Sequence, residues 1–157
     1  MEHPHDQRFL QMAVEQAMLG ASEGGLPIGA TLAIEDKLVA VGHNKREQLN
    51  NPILHAEMDC LANAGKRSAT ELSRATLYSS LSPCWMCAGA AVLFGIKRIV
   101  VADDGDGVAF VDDWRATNEF FASRRVELVV IPDAVMITAF RDWVQAHPTV
   151  WAGDVGN

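Results

Sequence analysis

Two short stretches carry residue types that do chemistry: His55-Ala56-Glu57 and Pro83-Cys84-Trp85-Met86-Cys87. One imidazole and two thiolates can hold zinc tetrahedrally and leave the fourth position open to water. Cys84 and Cys87 are three residues apart, a spacing that puts both side chains on one face of a helix, one turn apart. Pro83 suits the first position of that helix and Ser82 its N-cap. The positive end of the helix then favours the thiolates that zinc requires. Glu57 lies two residues beyond His55, a spacing at which helical side chains do not stack. Its expected role is therefore general acid/base toward the water or the substrate, not second ligand.

Alone, each motif is weak. A C-x-x-C also serves redox dithiols and structural zinc sites. A closed zinc site, however, needs a fourth Cys or His, and the only other cysteine is Cys60. Together, in this order and with the proline, the two stretches resemble the signature of the zinc-dependent deaminases.

At 157 residues the chain is expected to form one domain with a core that needs no disulfides. Its 49% hydrophobic and 21% charged content is that of a soluble globular protein. A net charge of −7 speaks against a large nucleic-acid surface, which draws on clustered Lys and Arg. Nucleic acid is thus not the expected partner. Three cysteines, two of them in the metal motif, suggest a reducing compartment, the cytoplasm. Met1 to Gln7 is polar with no apolar run behind it, so no signal peptide is expected. The apolar run around Ala88 to Ile96 is too short and too rich in glycine to span a bilayer.

The elements that must position these residues follow from periodicity. Phe9, Leu10, Ala13, Ala17 and Met18 mark a helix over Asp6 to Ala21, with Asp6 as cap and Gly24-Gly25 as terminator. Ile28 to Ile34 and Leu38 to Val41 predict an antiparallel hairpin around Glu35-Asp36-Lys37. A helix from about His55 ends at Gly65 in a left-handed cap. Strand Thr76 to Ser80 runs into the Ser82-Pro83 helix start, and that helix ends near Gly95. Arg98 to Ala102 and Val126 to Ile131 have the β-branched look of buried parallel strands. A helix over Asp113 to Arg124 separates them. Asp133 caps a last helix, which Pro148 stops after about His147. The alternation predicts an α/β fold, a three-layer α/β/α sandwich over a mixed five-stranded sheet.

Over nearly its whole length the sequence resembles the cytidine deaminase superfamily, and within it the fungal-type cytosine deaminases. The likeness rests on Glu23 to Gly29 (EGGLPIG), Gly42-His43-Asn44, the His55 motif, Leu81-Ser82-Pro83-Cys84 and the ending Trp151-Ala152-Gly153-Asp154. Asn44 and the C-terminal Trp and Asp point to the branch that acts on free bases. The resemblance implies a zinc-dependent homodimer that converts cytosine to uracil and ammonia. It implies zinc ligands at His55, Cys84 and Cys87 and catalysis by Glu57. It further implies substrate contacts at Ile28, Asn44, Ala56, Leu81, Ser82, Trp151 and Asp154, with Trp151 stacked on the base and Asp154 accepting from its amino group. One stretch departs from that pattern. An aromatic residue after the fourth strand closes the family's pocket, whereas here Asp103-Asp104-Gly105-Asp106-Gly107 stands there, with Phe110 and Trp114 the nearest aromatics. Guanine, another purine or a triazine is therefore the alternative substrate. A tRNA adenosine deaminase and a zinc-stabilised binding module without turnover are further alternatives, the last disfavoured by Glu57.

Other candidates carry blander expectations. The stretch from Asp103 to Asp113 lacks the alternating ligands and closing Glu of a calcium loop and is expected to be a solvated lid. His43 and Cys60 are expected to be structural. Trp85 and Met86 are expected to pack, and His147 to sit favourably at a helix C-terminus.

Overall fold

The computed structural model describes residues 1–106, 108 and 114–156. Phe110 and most of the predicted lid therefore lie outside the described residues. The element order is α1 (Asp6–Ser22), β1 (Gly29–Ile34), β2 (Lys37–His43), α2 (Arg46–Leu49), α3 (Ala56–Ala64), α4 (Ala69–Leu72) and β3 (Ala75–Ser79). It continues with α5 (Trp85–Leu93), β4 (Arg98–Val101), α6 (Trp114–Ser123), β5 (Glu127–Val130), α7 (Ala134–Ala146) and α8 (Pro148–Val155). The five strands form one mixed sheet in the order β2-β1-β3-β4-β5. The β1–β2 hairpin and the β1–β3 pair are antiparallel, whereas β3, β4 and β5 run parallel. This is the mixed α/β sheet that the sequence predicts.

Side chains alternate across a strand, and β3 shows what each face is for. Leu77 joins the core under α3 and α5, along with Leu32, Ile99 and Val101. Tyr78 points the other way and joins Phe9, Leu10 and Ala13 of α1 with Ala33 and Val100. On the α3 face the approach is close at one point. A Cβ at Gly42 of β2 would sit 2.4 Å from the backbone nitrogen of Cys60 and 2.9 Å from the carbonyl of Ala56.

Several boundaries differ from the sequence-based expectation, each for a tertiary reason. Asp6 is the first residue of α1 and not its cap; its buried carboxylate accepts from the His3 N–H and is gripped by Arg98 at 2.7 Å through both Nη atoms. Gly65 ends α3 with φ 69° but ψ −173°, which is not the left-handed helical cap expected. The α5 helix begins at Trp85 with Cys84 as N-cap, so Ser82 and Pro83 lie before it. The Ser82 N–H is drawn to the carbonyl of Asp103 (2.8 Å), which keeps that segment extended beyond β3. The β5 strand lies at the sheet edge and is only partly covered, not buried on both faces. Pro148 ends α7 as expected but also opens α8, because its fixed φ and missing N–H suit the first helical position. The tail is thus an element of its own. His147 joins the two helices: it is the C-cap of α7, as expected, with Nδ1 3.0 Å from the Trp143 carbonyl, and also the N-cap of α8.

The remaining structural expectations hold. His43 is nearly buried, with ring nitrogens 3.1 Å from Gln16 Oε1 and 2.9 Å from Glu23 Oε2. The Cys60 thiol is buried, and burial pushes its pKa up. Trp85 is instead 48% exposed, with its ring 6.2 Å from that of Phe120. No helix among the described residues is long and apolar enough to cross a membrane.

Candidate active site

The candidate residues gather at one end of the sheet, where β3 and β4 end and β1 begins. Open α/β sheets place their sites beyond the C-terminal ends of parallel strands. Two helix N-termini converge there. His55 is the N-cap of α3 and Cys84 the N-cap of α5, both with extended backbone. Cys87 is the third residue of α5, so the C-x-x-C pair meets in the way that N-cap and N3 side chains meet in a capping box. That corrects the expectation of two residues one turn apart within the helix. Both helices direct the positive end of their dipoles at the cluster, which favours thiolate.

His55 Nδ1, Cys84 Sγ and Cys87 Sγ lie within 4.8 Å of one another. His55 Nδ1 and Cys84 Sγ are 3.5 Å apart. Ligands of a tetrahedral zinc ion lie roughly 3.5–3.8 Å apart, given bonds of about 2.0–2.3 Å. The donor set therefore fits zinc with small adjustments. No fourth Cys, His or carboxylate joins the group among the described residues, so one coordination position stays open.

The protein groups perturb one another strongly. A hydrogen bond from Cys87 draws the Cys84 thiol down to about 4, and His55 helps against the cost of burial. Cys87, as the donor to Cys84 and a buried group, is pushed well above the ordinary thiol value. Burial opposes charge on His55, but Cys84 and Asp154 prevail and raise it to about 9. His55, Cys84 and Cys87 would hold a metal ion through neutral imidazole and thiolate, so its binding would release protons.

Glu57 is the second residue of α3 and nearly buried. Burial, and then the negative charge of Cys84, raise its pKa, as suits a proton carrier. Its Oε1 accepts a hydrogen bond from the Ser79 hydroxyl at 3.0 Å. Spacing gave no hint of Ser79. The available signal is a serine on the core-facing side of β3, two residues after Leu77.

Asn44 is fully buried at the end of β2. Its N–H donates to the Ile28 carbonyl (2.9 Å), and its Oδ1 accepts from the Arg46 N–H (3.0 Å). With its oxygen engaged, the amide presents Nδ2, which is 3.4 Å from Asp154 Oδ1. Asp59 braces both neighbours of Asn44, accepting from the His43 N–H (3.2 Å) and pairing with Lys45 Nζ (2.9 Å). Ile28, Ala56, Leu81 and Ser82 are all buried. The Ser82 hydroxyl oxygen has no hydrogen-bond partner.

The C-terminal helix reaches the same place. Asp154 Oδ1 lies 3.5 Å from His55 Nε2, the nitrogen turned away from the cysteines. Burial pushes the Asp154 carboxyl up, against His55 and Asn44. Trp151 is 1% exposed and meets Phe140 edge-on at 5.3 Å. The structure thus brings Asn44, His55, Cys84, Cys87 and Asp154 together, with Glu57 beside them, and seats Trp151 in the adjoining core.

Residues 3–103 match the model of the cytidine and deoxycytidylate deaminase zinc-binding region, a span that holds both motifs. The cytosine deaminase of Candida albicans is 36% identical over 152 residues, 96% of this chain and 97% of that one. A tRNA-specific adenosine deaminase of Bacillus subtilis is 41% identical over 96 residues, 60% of each chain. Among solved structures, guanine deaminase from Bacillus subtilis aligns with a TM-score of 0.61 at 28% identity, over 92% of this chain and 95% of that one. From the match and the relatives alike, the chain belongs to the cytidine and deoxycytidylate deaminase family, zinc-dependent hydrolases of C–N bonds.

Proposed function

We propose that this chain deaminates free cytosine to uracil and ammonia, with His55, Cys84 and Cys87 as zinc ligands and Glu57 as proton carrier. The observation that carries the reading is the tail. The α8 helix brings the Asp154 carboxylate to 3.5 Å from His55 Nε2 and 3.4 Å from the Asn44 amide, a placement that supports a site closed to a ribose. In support, the Candida albicans cytosine deaminase matches almost end to end, whereas the tRNA-specific relative covers 60% of the chain.

A zinc ion held by His55, Cys84 and Cys87 supplies Lewis acidity to the attacking water. Glu57 takes the proton that the water gives up and passes it to the ring nitrogen beside the amidine carbon. A second transfer through Glu57 makes the amine a leaving group, so that water is consumed and ammonia released. The Ser79 hydroxyl holds the carboxylate in place for both transfers. Asn44 donates its Nδ2 to the ring carbonyl, and the backbone near Ala56 and Ser82 reads the base edge. Asp154 accepts from the exocyclic amine, while Ile28, Leu81 and Trp151 form the apolar wall that excludes water.

One observation favours a larger ring. Asp103 is buried where the resemblance places an aromatic residue; its Oδ1 lies 3.6 Å from Arg141, and its Oδ2 has no hydrogen-bond partner among the described residues. Such an acceptor suits the donor edge of guanine. The test is ammonia release from the zinc-loaded protein on cytosine, guanine, cytidine and an anticodon stem–loop. Cytosine turning over well ahead of cytidine supports the proposal; guanine or the stem–loop as the best substrate overturns it.

The homodimer implied by the resemblance is part of this proposal. The α5 helix carries no charged residue and leaves Trp85 and Leu93 exposed, with Phe94 just beyond, a face suited to a second copy. Sedimentation at micromolar concentration tests it. Two cysteines kept as metal-binding thiolates and a third left without a disulfide fit a cytoplasmic setting.

A further inference from the structure

Asp154 can serve the site only while α8 stays docked, and α8 is held in two ways. Its apolar anchor is Trp151 against Phe140. Its polar anchors are the contacts of Asp154 with Asn44 and His55 and, from α2, the side chain of Arg46. Arg46 Nη1 donates to the Val150 carbonyl at 3.5 Å, and its Nε lies 3.9 Å from Asp154 Oδ1. Gly153 lies between these two contacts, and a Cβ there would approach Arg46 Nη2 to 3.0 Å. The guanidinium therefore lies against the backbone of α8, where a larger residue would have to push it aside by a few tenths of an ångström. It is 20% exposed and is steadied by Glu47 at 3.2 Å. At its other end the backbone N–H of Arg46 fixes the amide of Asn44. One residue thus orients the recognition amide with its main chain and sets its guanidinium charge beside the tail carboxylate, within ion-pair reach.

From this geometry we propose that Arg46 is a positioning residue that latches α8 shut over the pocket and sets the aim of Asp154. The proposal rests on the deaminase reading above for its kinetic consequences, but not for the latch itself. A guanidinium reaches a carbonyl and a carboxylate at once through its planar fork, whereas a lysine ammonium is a point charge that serves one of them. Without the latch, α8 keeps Trp151 but loses the contacts near its polar end, and Asp154 is no longer held beside His55 and Asn44.

The experiment compares wild type, Arg46→Ala, Arg46→Lys and Gly153→Ala, all zinc-loaded and checked for metal content. Hydrogen exchange of the α8 amides without substrate reads the latch. Arg46→Ala is expected to lower their protection on the order of tenfold, the worth of a charge-assisted contact, with α3 and α5 unchanged. Kinetics on cytosine read the aim of Asp154: KM rises on the order of tenfold, kcat changes less, and the preference for cytosine over cytidine narrows. Arg46→Lys recovers part of each effect. Gly153→Ala favours the helix roughly fivefold (about 1 kcal/mol) but crowds the guanidinium, so it raises α8 protection less in wild type than in an Arg46→Ala background. Unchanged α8 protection in Arg46→Ala overturns the latch. If protection falls but no nucleobase is a substrate, the deaminase reading fails while the latch stands.

Discussion

Tyr78 and Ser79 are neighbours on β3, yet they serve two buried polar clusters of opposite design. On the α1 face Tyr78 donates to Asp6 Oδ1 at 3.0 Å, and Arg98 grips the same carboxylate with two bonds of 2.7 Å. Arg98 further donates to the Met1 carbonyl and to Glu127, and Glu127 pairs with the N-terminal amine. Charge there is matched with opposite charge. On the α3 face Ser79 donates to Glu57, which is crowded by two thiols and an imidazole, the imidazole in turn facing Asp154. Burial, the hydrogen bond between the two thiols and an excess of negative groups push the site away from its ordinary pKa values. One cluster lowers the energy of the fold by pinning α1 and the N-terminus to the sheet. The other holds groups in states that favour metal binding and proton transfer, as functional sites do.

The contrast breaks down if a change on one face produces the signature of the other. The largest expected effect is on chemistry. Glu57→Gln keeps the fold and the zinc, while kcat falls by ~10²–10⁴-fold or more, since the carboxylate works twice. Near-normal turnover removes Glu57 from the mechanism. Cys84→Ser and Cys87→Ser lose metal and activity together, as zinc analysis of the purified variants shows; full zinc retention in both sinks the ligand assignment.

Next comes stability on the other face. Asp6→Asn takes from the buried Arg98 its bidentate countercharge and leaves it only that of Glu127, at a cost of about 3 kcal/mol. Urea denaturation is the measurement, and kcat of the folded fraction should match wild type. The pH dependence has a definite sign. Burial pushes the Asp6 carboxyl up, but Arg98, the His3 N–H and Tyr78 outweigh it and hold the pKa below its ordinary value. The unfolded chain thus binds the proton first. This contribution to stability is complete above about pH 4 and is lost as pH falls through the lower folded value. Asp6→Asn removes that acid-limb slope, and an unchanged slope refutes the assignment.

The smallest effect sharpens the comparison at the strand itself. Ser79→Ala removes one neutral hydrogen bond to Glu57, worth about 1 kcal/mol. It should lower kcat roughly fivefold and leave zinc content unchanged. A loss of stability with no change in kcat would place Ser79 with Tyr78, as an anchor.

What was legible in the sequence follows from the range of each interaction. His55, Glu57, Cys84 and Cys87 stood out because their types and local spacings suffice to suggest the chemistry. Ser79 and Arg46 were silent, because their partners lie 22 and 104 residues away. The mixed sheet was readable from the hairpin and the later alternation of strand and helix. The start of α5 was misplaced because a carbonyl across the sheet competes for the Ser82 N–H. The tail was misread because proline ends one helix and begins another with the same geometry, and sequence alone does not say which role it takes.

Gly42 touches neither ion nor substrate, yet its missing side chain acts as a spacer. His55 and Glu57 ride on α3, while the two cysteines ride on α5, so the width of the metal cage is the separation of two helices. That separation is set where α3 rests directly on the backbone of β2, with no room for a methyl group. A dimension of a few ångströms that decides whether three ligands can share one ion is therefore fixed by a contact on the floor of the fold. The dimensional tolerance of the chemistry is the tolerance of a helix lying on a strand.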